Sequence, residues 1–176
     1  MGIRYLVEMV RLVSWNLSGR DLWDDLDHLD LDVALLQEVR LPKPGRALQV
    51  VPESPSTWET AGWERREWRT VIARLSDRVE LDPQPTFAVG AAKSHGEWTV
   101  SRDGTITAAG VRAGDRSIFT AVSVYAPWER SARDVIYADG SAHRILSDLS
   151  ALMAGPQHRI VVAGDWNIPL GYGEHK

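Results

Sequence analysis

The pattern that most constrains the fold of this chain occurs twice: an apolar strand, a polar loop, a helix, and a second apolar strand that ends in a carboxylate. Apolar runs bounded by turn residues predict the strands, and apolar side chains at helical spacing predict the helices. The predicted strands cover residues 10–16, 32–36, 118–125 and 160–163, and the predicted helices cover residues 18–29 and 141–154. A strand, a helix and a strand in this order form a βαβ-like unit, so we expect an α/β fold in which two such units pack as paired sheets.

Polar side chains collect at the ends of these four strands. Asn16 and Glu38 end the strands of the first unit, Tyr125 ends the first strand of the second unit, and Asp165 and Asn167 follow its last strand. If the units pack as paired sheets, all five side chains emerge at one rim, as in catalytic sites built on rigid scaffolds. A carboxylate and an amide there can orient a water molecule and hold a phosphate. A Gly-Asp strand end by itself is an ordinary tight turn.

Two small residues are expected to bound these elements. Ser18 is the candidate N-cap of the first helix, because serine accepts a hydrogen bond from the first free backbone N–H groups. Gly164 is expected to turn the chain sharply after the last strand, which leaves Asp165 on a loop.

The region between the two units has weaker signals. A strand is predicted over residues 70–75, whereas the stretches 41–67 and 82–96 contain repeated prolines or glycines and are predicted to be irregular. Strands over 98–101 and 105–111 are predicted to form a hairpin around an Asp-Gly turn.

Composition indicates a single globular domain. The chain has 176 residues, of which 44% are hydrophobic and 25% are charged, and this is enough for one sizeable core. We expect an N-terminal extension over residues 1–8 and one domain over residues 9–176, because Met9 directly precedes the first strand.

Several classes of protein are excluded or made less favourable. There is no cysteine, so neither a disulfide framework nor a cysteine-based zinc site can form. The formal net charge of -4 neither indicates nor excludes nucleic-acid binding, since a local basic patch can sit in an acidic protein. No apolar run reaches the length of a membrane span and the N-terminus lacks the apolar core of a signal peptide, so we expect a cytoplasmic protein.

Four short motifs connect this pattern to a known family. They are VSWN, LLQE, VSVYAP and GDWN, which end at residues 16, 38, 127 and 167. In order and approximate spacing they resemble the successive motifs of the endonuclease/exonuclease/phosphatase superfamily, which includes DNase I, exonuclease III, the inositol polyphosphate 5-phosphatases and the neutral sphingomyelinases. The tryptophan in GDWN stands where many members have a smaller or aliphatic residue.

The resemblance implies a DNase I-like four-layer α/β-sandwich that hydrolyses a phosphoester with Mg²⁺, or Mn²⁺ in its place. By the same resemblance Glu38 would be the principal metal ligand, with Asn16 near the metal and the phosphate. Asp165 would orient or deprotonate the attacking water, Asn167 would hydrogen-bond a phosphate oxygen, and Tyr125 would lie against the phosphate or the leaving group. One or two carboxylates are the protein ligands that Mg²⁺ uses beside substrate phosphates.

The resemblance also implies a further C-terminal third, with another metal-side aspartate and a catalytic histidine, that the sequence to Lys176 does not contain. His175 is not expected to replace that histidine, because no neighbouring carboxylate would orient it. We therefore expect a C-terminally incomplete domain with exposed strand edges, completed by a missing segment or by a second chain.

Two kinds of function remain open at this point. One is metal-dependent hydrolysis of a phosphodiester or phosphomonoester, with DNA, RNA, a phosphoinositide or a phospholipid head group as the substrate. The other is a catalytically inert member of the family that acts as a binding or interaction module. A generic nucleotide- or sugar-binding α/β protein is less favoured, because the glycine-rich phosphate-binding fingerprint is missing.

Overall fold

The computed structural model describes residues 9–42, 49–53, 69–91, 94, 97–127, 129–130, 136–154 and 159–168. The predicted extension over residues 1–8 lies outside them. The strands of the first half are β1 (Leu12–Asn16), β2 (Val33–Val39), β3 (Gln49–Val51), β4 (Arg69–Arg74), β5 (Glu80–Gln84) and β6 (Thr86–Ala88). Those of the second half are β7 (Trp98–Val100), β8 (Ile106–Ala113), β9 (Arg116–Tyr125), β10 (Glu129–Arg130), β11 (Ile136–Tyr137) and β12 (Ile160–Asp165). The helices are α1 (Trp23–Asp27) and α2 (Ala138–Met153).

Two four-stranded sheets form the body of the protein, in the orders β1-β2-β4-β3 and β12-β9-β8-β5. Strand β1 runs parallel to β2 and β12 runs parallel to β9, whereas the other pairs in these sheets are antiparallel. Each parallel pair is connected through a helix, α1 in the first case and α2 in the second. The predicted pair of βαβ units is therefore confirmed.

The alternation of side chains along the strands builds three apolar layers. The layer between the sheets includes Val33, Leu35, Ile72, Val111 and Ala121. The layer under α1 includes Trp23, Leu26, Ala34, Leu36 and Val71. The layer under α2 includes Ile106, Val122, Val124, Ile145 and Leu149. Neighbouring residues of one strand thus enter different layers, and the expected four-layer α/β-sandwich is confirmed.

The first helix is shorter than predicted and Ser18 does not cap it. Helix α1 has five residues, and its N-cap position is Leu22, which makes no side-chain capping bond. Ser18 lies in the left-handed region at φ 52°. The flanking backbone is hydrogen-bonded to β2, from Leu17 N to Gln37 O and from Gly19 N to Glu38 O. These bonds hold the chain against the sheet, so a helix cannot begin there.

The predicted end of the last strand is also wrong. Gly164 is a residue of β12, paired with Val124 of β9, and it does not turn the chain. A Cβ atom at this position would lie 1.9 Å from the carbonyl oxygen of Val124. Glycine is required here because the backbones of two strands approach closely. Since the strand continues through Gly164, Asp165 is its last residue and does not lie on a loop.

Some predicted connections contain strands. Strand β3 lies in the stretch 41–67, most of which falls outside the described residues, and β5 and β6 overlap the stretch 82–96. Pro83 is tolerated in β5 because β5 is an edge strand. The predicted hairpin of β7 with β8 is wrong, since β7 pairs with β6 and β8 pairs with β9 and β5.

Strand β12 forms one edge of its sheet, beyond β9. Its apolar residues are only partly covered, and Val161 is 37% exposed. The expectation that a further segment or another chain covers this edge stays a prediction. Among the described helices, none combines the length and the apolar character needed to span a membrane.

Candidate active site

The side chains of Asn16, Glu38 and Asp165 meet at the rim where the two sheets face each other. Asn16 Nδ2 lies 3.1 Å from Glu38 Oε1 and 2.7 Å from Asp165 Oδ2. Asn16 and Glu38 belong to the first sheet and Asp165 belongs to the second. All three side chains are partly exposed to solvent. The tertiary structure therefore brings together the side chains of three of the five residues that the sequence analysis selected, in one hydrogen-bonded group.

A β-bulge in β2 directs Glu38 into this group. Ala34 and Leu36 face α1, so regular alternation would send Glu38 to the same face. Instead, the register against β4 slips between Leu36 and Val39, and Val39 occupies the position under α1. Gln37 and Glu38 thus stand where regular pairing has one residue, and Glu38 has φ 51°. A bulge re-aims a side chain in this way, and here it turns a carboxylate towards the facing sheet.

The orientation of the Asn16 amide follows from its second contact. The backbone N–H of Ser18 donates to Asn16 Oδ1 at 2.8 Å, so the oxygen of the amide faces the loop after β1. The nitrogen must then face the carboxylates of Glu38 and Asp165, to which it donates. Asn16 thus supplies two N–H groups to the carboxylate pair and holds both carboxylates in place.

The loop after β12 orders Asp165 and Asn167 together. The backbone N–H of Asn167 donates to Asp165 Oδ1 at 3.0 Å, and Asn167 Nδ2 donates to the carbonyl of Ala126 at 2.8 Å. Asn167 has φ 50°, a conformation that asparagine adopts more readily than most residues. Ala126 N in turn donates to the carbonyl of Asp165. Both strand ends are therefore fastened to each other beside the carboxylate.

Tyr125 lies next to this group but is largely covered. It is the register partner of Asp165 across β9 and β12. Its side chain is 2% exposed, and its backbone N–H donates to Thr105 O. Tyr125 therefore lies beside Asp165 in the sheet, and its predicted contact with a phosphate or leaving group stays a prediction.

Backbone strain is concentrated at this rim. Among the described residues, the non-glycine residues with positive φ are Ser18, Glu38 and Asn167, at 52°, 51° and 50°. Each such conformation costs about 1–3 kcal/mol and persists only where the surrounding structure enforces it. Two of the three are predicted site residues and the third bonds directly to Asn16, so the strain marks the same place as the side chains.

A buried arginine side chain lies beside the bulge. Arg69, at the start of β4, is the register partner of Val39 and is 4% exposed. Burial lowers the pKa of its guanidinium, and the carboxylate of Asp103 at 3.9 Å opposes that effect. An arginine guanidinium stays protonated at neutral pH, so Arg69 places a buried positive charge on the register partner of Val39, the residue that follows Glu38.

The donor set at the rim fits a hard divalent cation. Within the described residues, Asp165 accepts hydrogen bonds on both carboxylate oxygens, whereas Glu38 accepts one, on Oε1. Glu38 therefore has an oxygen left for a metal ion. No group of three or more His, Asp or Glu side chains that could form a full metal cage occurs in the described part of the chain. One or two carboxylates with water and phosphate oxygens is the coordination typical of Mg²⁺.

The histidines do not complete the site within the described residues. His28 and His143 are exposed, at the end of α1 and on α2, and neither hydrogen-bonds a site residue. His95, His158 and His175 lie outside the described residues.

The fold and the site together define a class. A sandwich of two mixed sheets between helices, with carboxylates and amides from both sheets at one rim, is the DNase I-like arrangement of nuclease- and phosphatase-type hydrolases. The family model described as the Endonuclease/Exonuclease/phosphatase family matches residues 13–176, and the chain belongs to this family. Comparisons with curated proteins and with solved structures found no match.

Sequence reasoning missed the residues that hold the site in shape. Gln37 and Ser123 are buried polar residues directly below the rim, and the carbonyl of Ala126 anchors Asn167. Both Gln37 and Ser123 lie inside the family-like motifs, and a polar residue within an otherwise apolar strand was the available signal.

Proposed function

We propose that this chain hydrolyses a phosphoester with the help of Mg²⁺, and that a phosphodiester of nucleic acid is the first substrate to test. Membership of the family supports hydrolase chemistry of the nuclease or phosphatase type. The observation that carries the proposal is the Asn16 amide, which joins a carboxylate from each sheet. Two carboxylates held by one amide in this way can serve different partners, one a metal ion and the other a water molecule.

In this proposal Glu38, with its remaining carboxylate oxygen, holds the metal ion. The ion would neutralise charge on the phosphate and polarise its oxygens. Mn²⁺ has similar ligand preferences and is proposed as a substitute. Asn16 keeps Glu38 in position by donating to Oε1 and is a neighbour of the metal, with its own amide oxygen turned to the Ser18 N–H.

Asp165 is proposed to orient the attacking water and to accept its proton. Hydrogen bonds from Asn16 Nδ2 and Asn167 N fix the plane of this carboxylate. Asn167 Nδ2 uses one hydrogen on the Ala126 carbonyl, and its second hydrogen can be donated to a phosphate oxygen. Tyr125, the register partner of Asp165, is proposed to limit where the leaving group can lie. Such catalysis works mainly by positioning and charge neutralisation.

The test is cleavage of supercoiled plasmid with Mg²⁺, with Mn²⁺ and with a chelator, together with hydrolysis of bis(p-nitrophenyl) phosphate and p-nitrophenyl phosphate. Glu38→Gln and Asp165→Asn remove one charge each with little change of shape. Asp77→Asn is the matched control, because the Asp77 side chain is 88% exposed and lies outside the site.

We expect metal-dependent cleavage in the wild type and in Asp77→Asn, reduced at least about a hundredfold in the two site variants. Hydrolysis of the diester alone would narrow the function to a phosphodiesterase, and hydrolysis of the monoester alone to a phosphatase. Metal binding at Glu38 without turnover of any of the three substrates would favour the inert binding module. Turnover that is unchanged in both site variants would overturn the proposal.

A further inference from the structure

Buried hydrogen bonds connect the two sheets directly below the rim. Gln37 of β2 is 1% exposed and Ser123 of β9 is 0% exposed. Gln37 Nε2 donates to Ser123 Oγ at 3.0 Å. Gln37 immediately precedes Glu38, and Ser123 lies two residues before Tyr125. This contact between the sheets is therefore adjacent in sequence to residues of the site on both sides.

The same two side chains also hold the bulge that carries Glu38. Ser123 Oγ donates to the carbonyl of Leu36 at 2.8 Å, and Leu36 is the last regular residue of β2 before the register slips. Gln37 Nε2 donates further to Leu35 O at 2.9 Å, and Ser14 Oγ lies 3.4 Å from it. The hydroxyl has a single hydrogen, which goes to Leu36, so it accepts from Gln37 and each group has one defined role.

The geometry of the carboxylate pair depends on how the sheets are fastened. Glu38 and Asp165 belong to different sheets, so their separation is set by the spacing and register of the sheets at this rim. Asn16 can bond both carboxylates only while its nitrogen stays 3.1 Å from one and 2.7 Å from the other. A displacement of about 1 Å breaks one of these bonds.

We propose that Gln37 and Ser123 are positioning residues: their hydrogen bond fixes the bulge of β2 against β9 and so sets the separation between Glu38 and Asp165. Neither side chain is exposed enough to touch a substrate. Their effect on turnover rests on the proposed function, whereas their effect on the geometry of the carboxylate pair does not.

The spectroscopic test follows the side-chain amide of Asn16 in a ¹⁵N–¹H spectrum, with its resonances assigned by their loss in Asn16→Ala. In the wild type the two N–H protons are held by two carboxylates, so we expect separated resonances and slow exchange with water. Ser123→Ala removes both hydrogen bonds that its hydroxyl makes with β2, and Gln37→Leu removes the bond between the two side chains. We expect both to move the Asn16 resonances towards those of an exposed asparagine and to speed their exchange at least about tenfold.

Val111→Ala is the matched control. Val111 is 0% exposed and lies in the same layer between the sheets, but it belongs to β8, where its register partner on β9 is Phe119, four residues from Ser123. We expect Val111→Ala to lower the melting temperature about as much as Ser123→Ala does, but to leave the Asn16 resonances in place. Unchanged resonances in Ser123→Ala would overturn the inference, and so would equal changes in Val111→Ala. If Gln37→Leu does not fold, Ser123→Ala decides, since it removes a single hydroxyl.

Turnover gives the second measurement. For positioning residues we expect kcat to fall about tenfold to a hundredfold while KM stays within about twofold, because the site is displaced rather than removed. A wild type without turnover would count against the proposed function alone. The Asn16 resonances would then still decide whether Gln37 and Ser123 hold the carboxylate pair.

Discussion

Asn16 and Asp165 are 149 residues apart in the sequence, yet Asn16 Nδ2 donates to Asp165 Oδ2 at 2.7 Å. The bond joins the last residue of β1 in one sheet to the last residue of β12 in the other. The same nitrogen donates to Glu38. The site is thus assembled across the mouth of the sandwich, and its geometry depends on both sheets.

We expect Asn16→Ala to lower kcat about tenfold to a hundredfold, because each carboxylate loses a charge-assisted hydrogen bond of about 1.5–3 kcal/mol. Asn16→Asp keeps the shape but places a third carboxylate between Glu38 and Asp165, so we expect a greater loss. Steady-state kinetics of both variants on the best substrate provide the check. Activity of Asn16→Asp equal to that of the wild type would contradict the assigned role.

Binding of Mg²⁺ should stabilise the fold through Glu38. At a concentration one hundred times Kd, a ligand that binds only the native state adds about 2.7 kcal/mol to the free energy of unfolding. We expect a rise in the melting temperature of the wild type with Mg²⁺, reversed by a chelator, and no such rise in Glu38→Gln. The same measurement is made with Ca²⁺ as a second divalent cation. A rise in melting temperature of Glu38→Gln equal to that of the wild type would mean that the ion binds elsewhere.

Replacement of Gly164 by alanine should destabilise the protein severely. A Cβ atom there would lie 1.9 Å from Val124 O and 2.8 Å from Val124 C. Both are backbone atoms, so they cannot move aside without disturbing the pairing of β9 with β12. We expect a loss of about 3 kcal/mol or more in the free energy of unfolding, measured with urea.

Gly110→Ala is the control for this substitution, because the nearest atom to its Cβ would be Asp82 Cβ at 3.3 Å, a milder contact within the same sheet. A loss in Gly164→Ala no larger than that in Gly110→Ala would contradict the close approach of β9 and β12.

Ser18→Ala distinguishes the observed loop from the predicted helix cap. Loss of a serine N-cap costs about 1 kcal/mol. In the structure the Ser18 backbone, not its side chain, bonds to Asn16, and the side chain is exposed. We therefore expect the free energy of unfolding to change by less than about 0.5 kcal/mol. A loss near the full value of a cap would mean that the helix begins at Ser18 after all.

The pH dependence of stability should have a component from Asp32, at the opposite end of β2 from Glu38. Asp32 is 1% exposed and accepts hydrogen bonds from Arg11 N at 2.8 Å, Ser76 Oγ at 2.5 Å and Arg78 Nε at 2.6 Å. Burial raises the pKa of this carboxyl, but the three hydrogen bonds and the charge of Arg78 outweigh it, so the pKa lies below its ordinary value.

A carboxyl whose pKa is lower in the folded state stabilises that state above the unfolded pKa, which is about 3.9. The stabilisation disappears as the pH falls from there through the folded pKa. We therefore expect Asp32→Asn to lose about 2 kcal/mol at pH 7 relative to the wild type, and less at pH 3. Urea unfolding at both pH values measures this. Asp77→Asn, at an exposed position, is the control. If Asp32→Asn lost the same free energy of unfolding at both pH values, the predicted pH dependence would be wrong.

Local patterns determined the parts of the fold that depend on local physics. Helix α2 and strands β1, β4, β9 and β12 follow from apolar spacing within single segments, because each must bury one face whatever it packs against. The two βαβ units could also be predicted from local patterns, because a helix between two buried strands returns the chain to the same sheet. The motifs ending at Asn16, Glu38 and Asn167 identified residues of the rim.

The tertiary structure alone decided what depends on distant contacts. The bulge that turns Glu38 into the site arises where β2 meets β4 and Ser123, and Gly164 is required because β9 lies 1.9 Å from where a Cβ would be. Hydrogen-bond register and close backbone approach are properties of pairs of strands, so no single segment encodes them. Hydrophobic periodicity thus selected the elements, and contacts between sheets set the positions of the carboxylates.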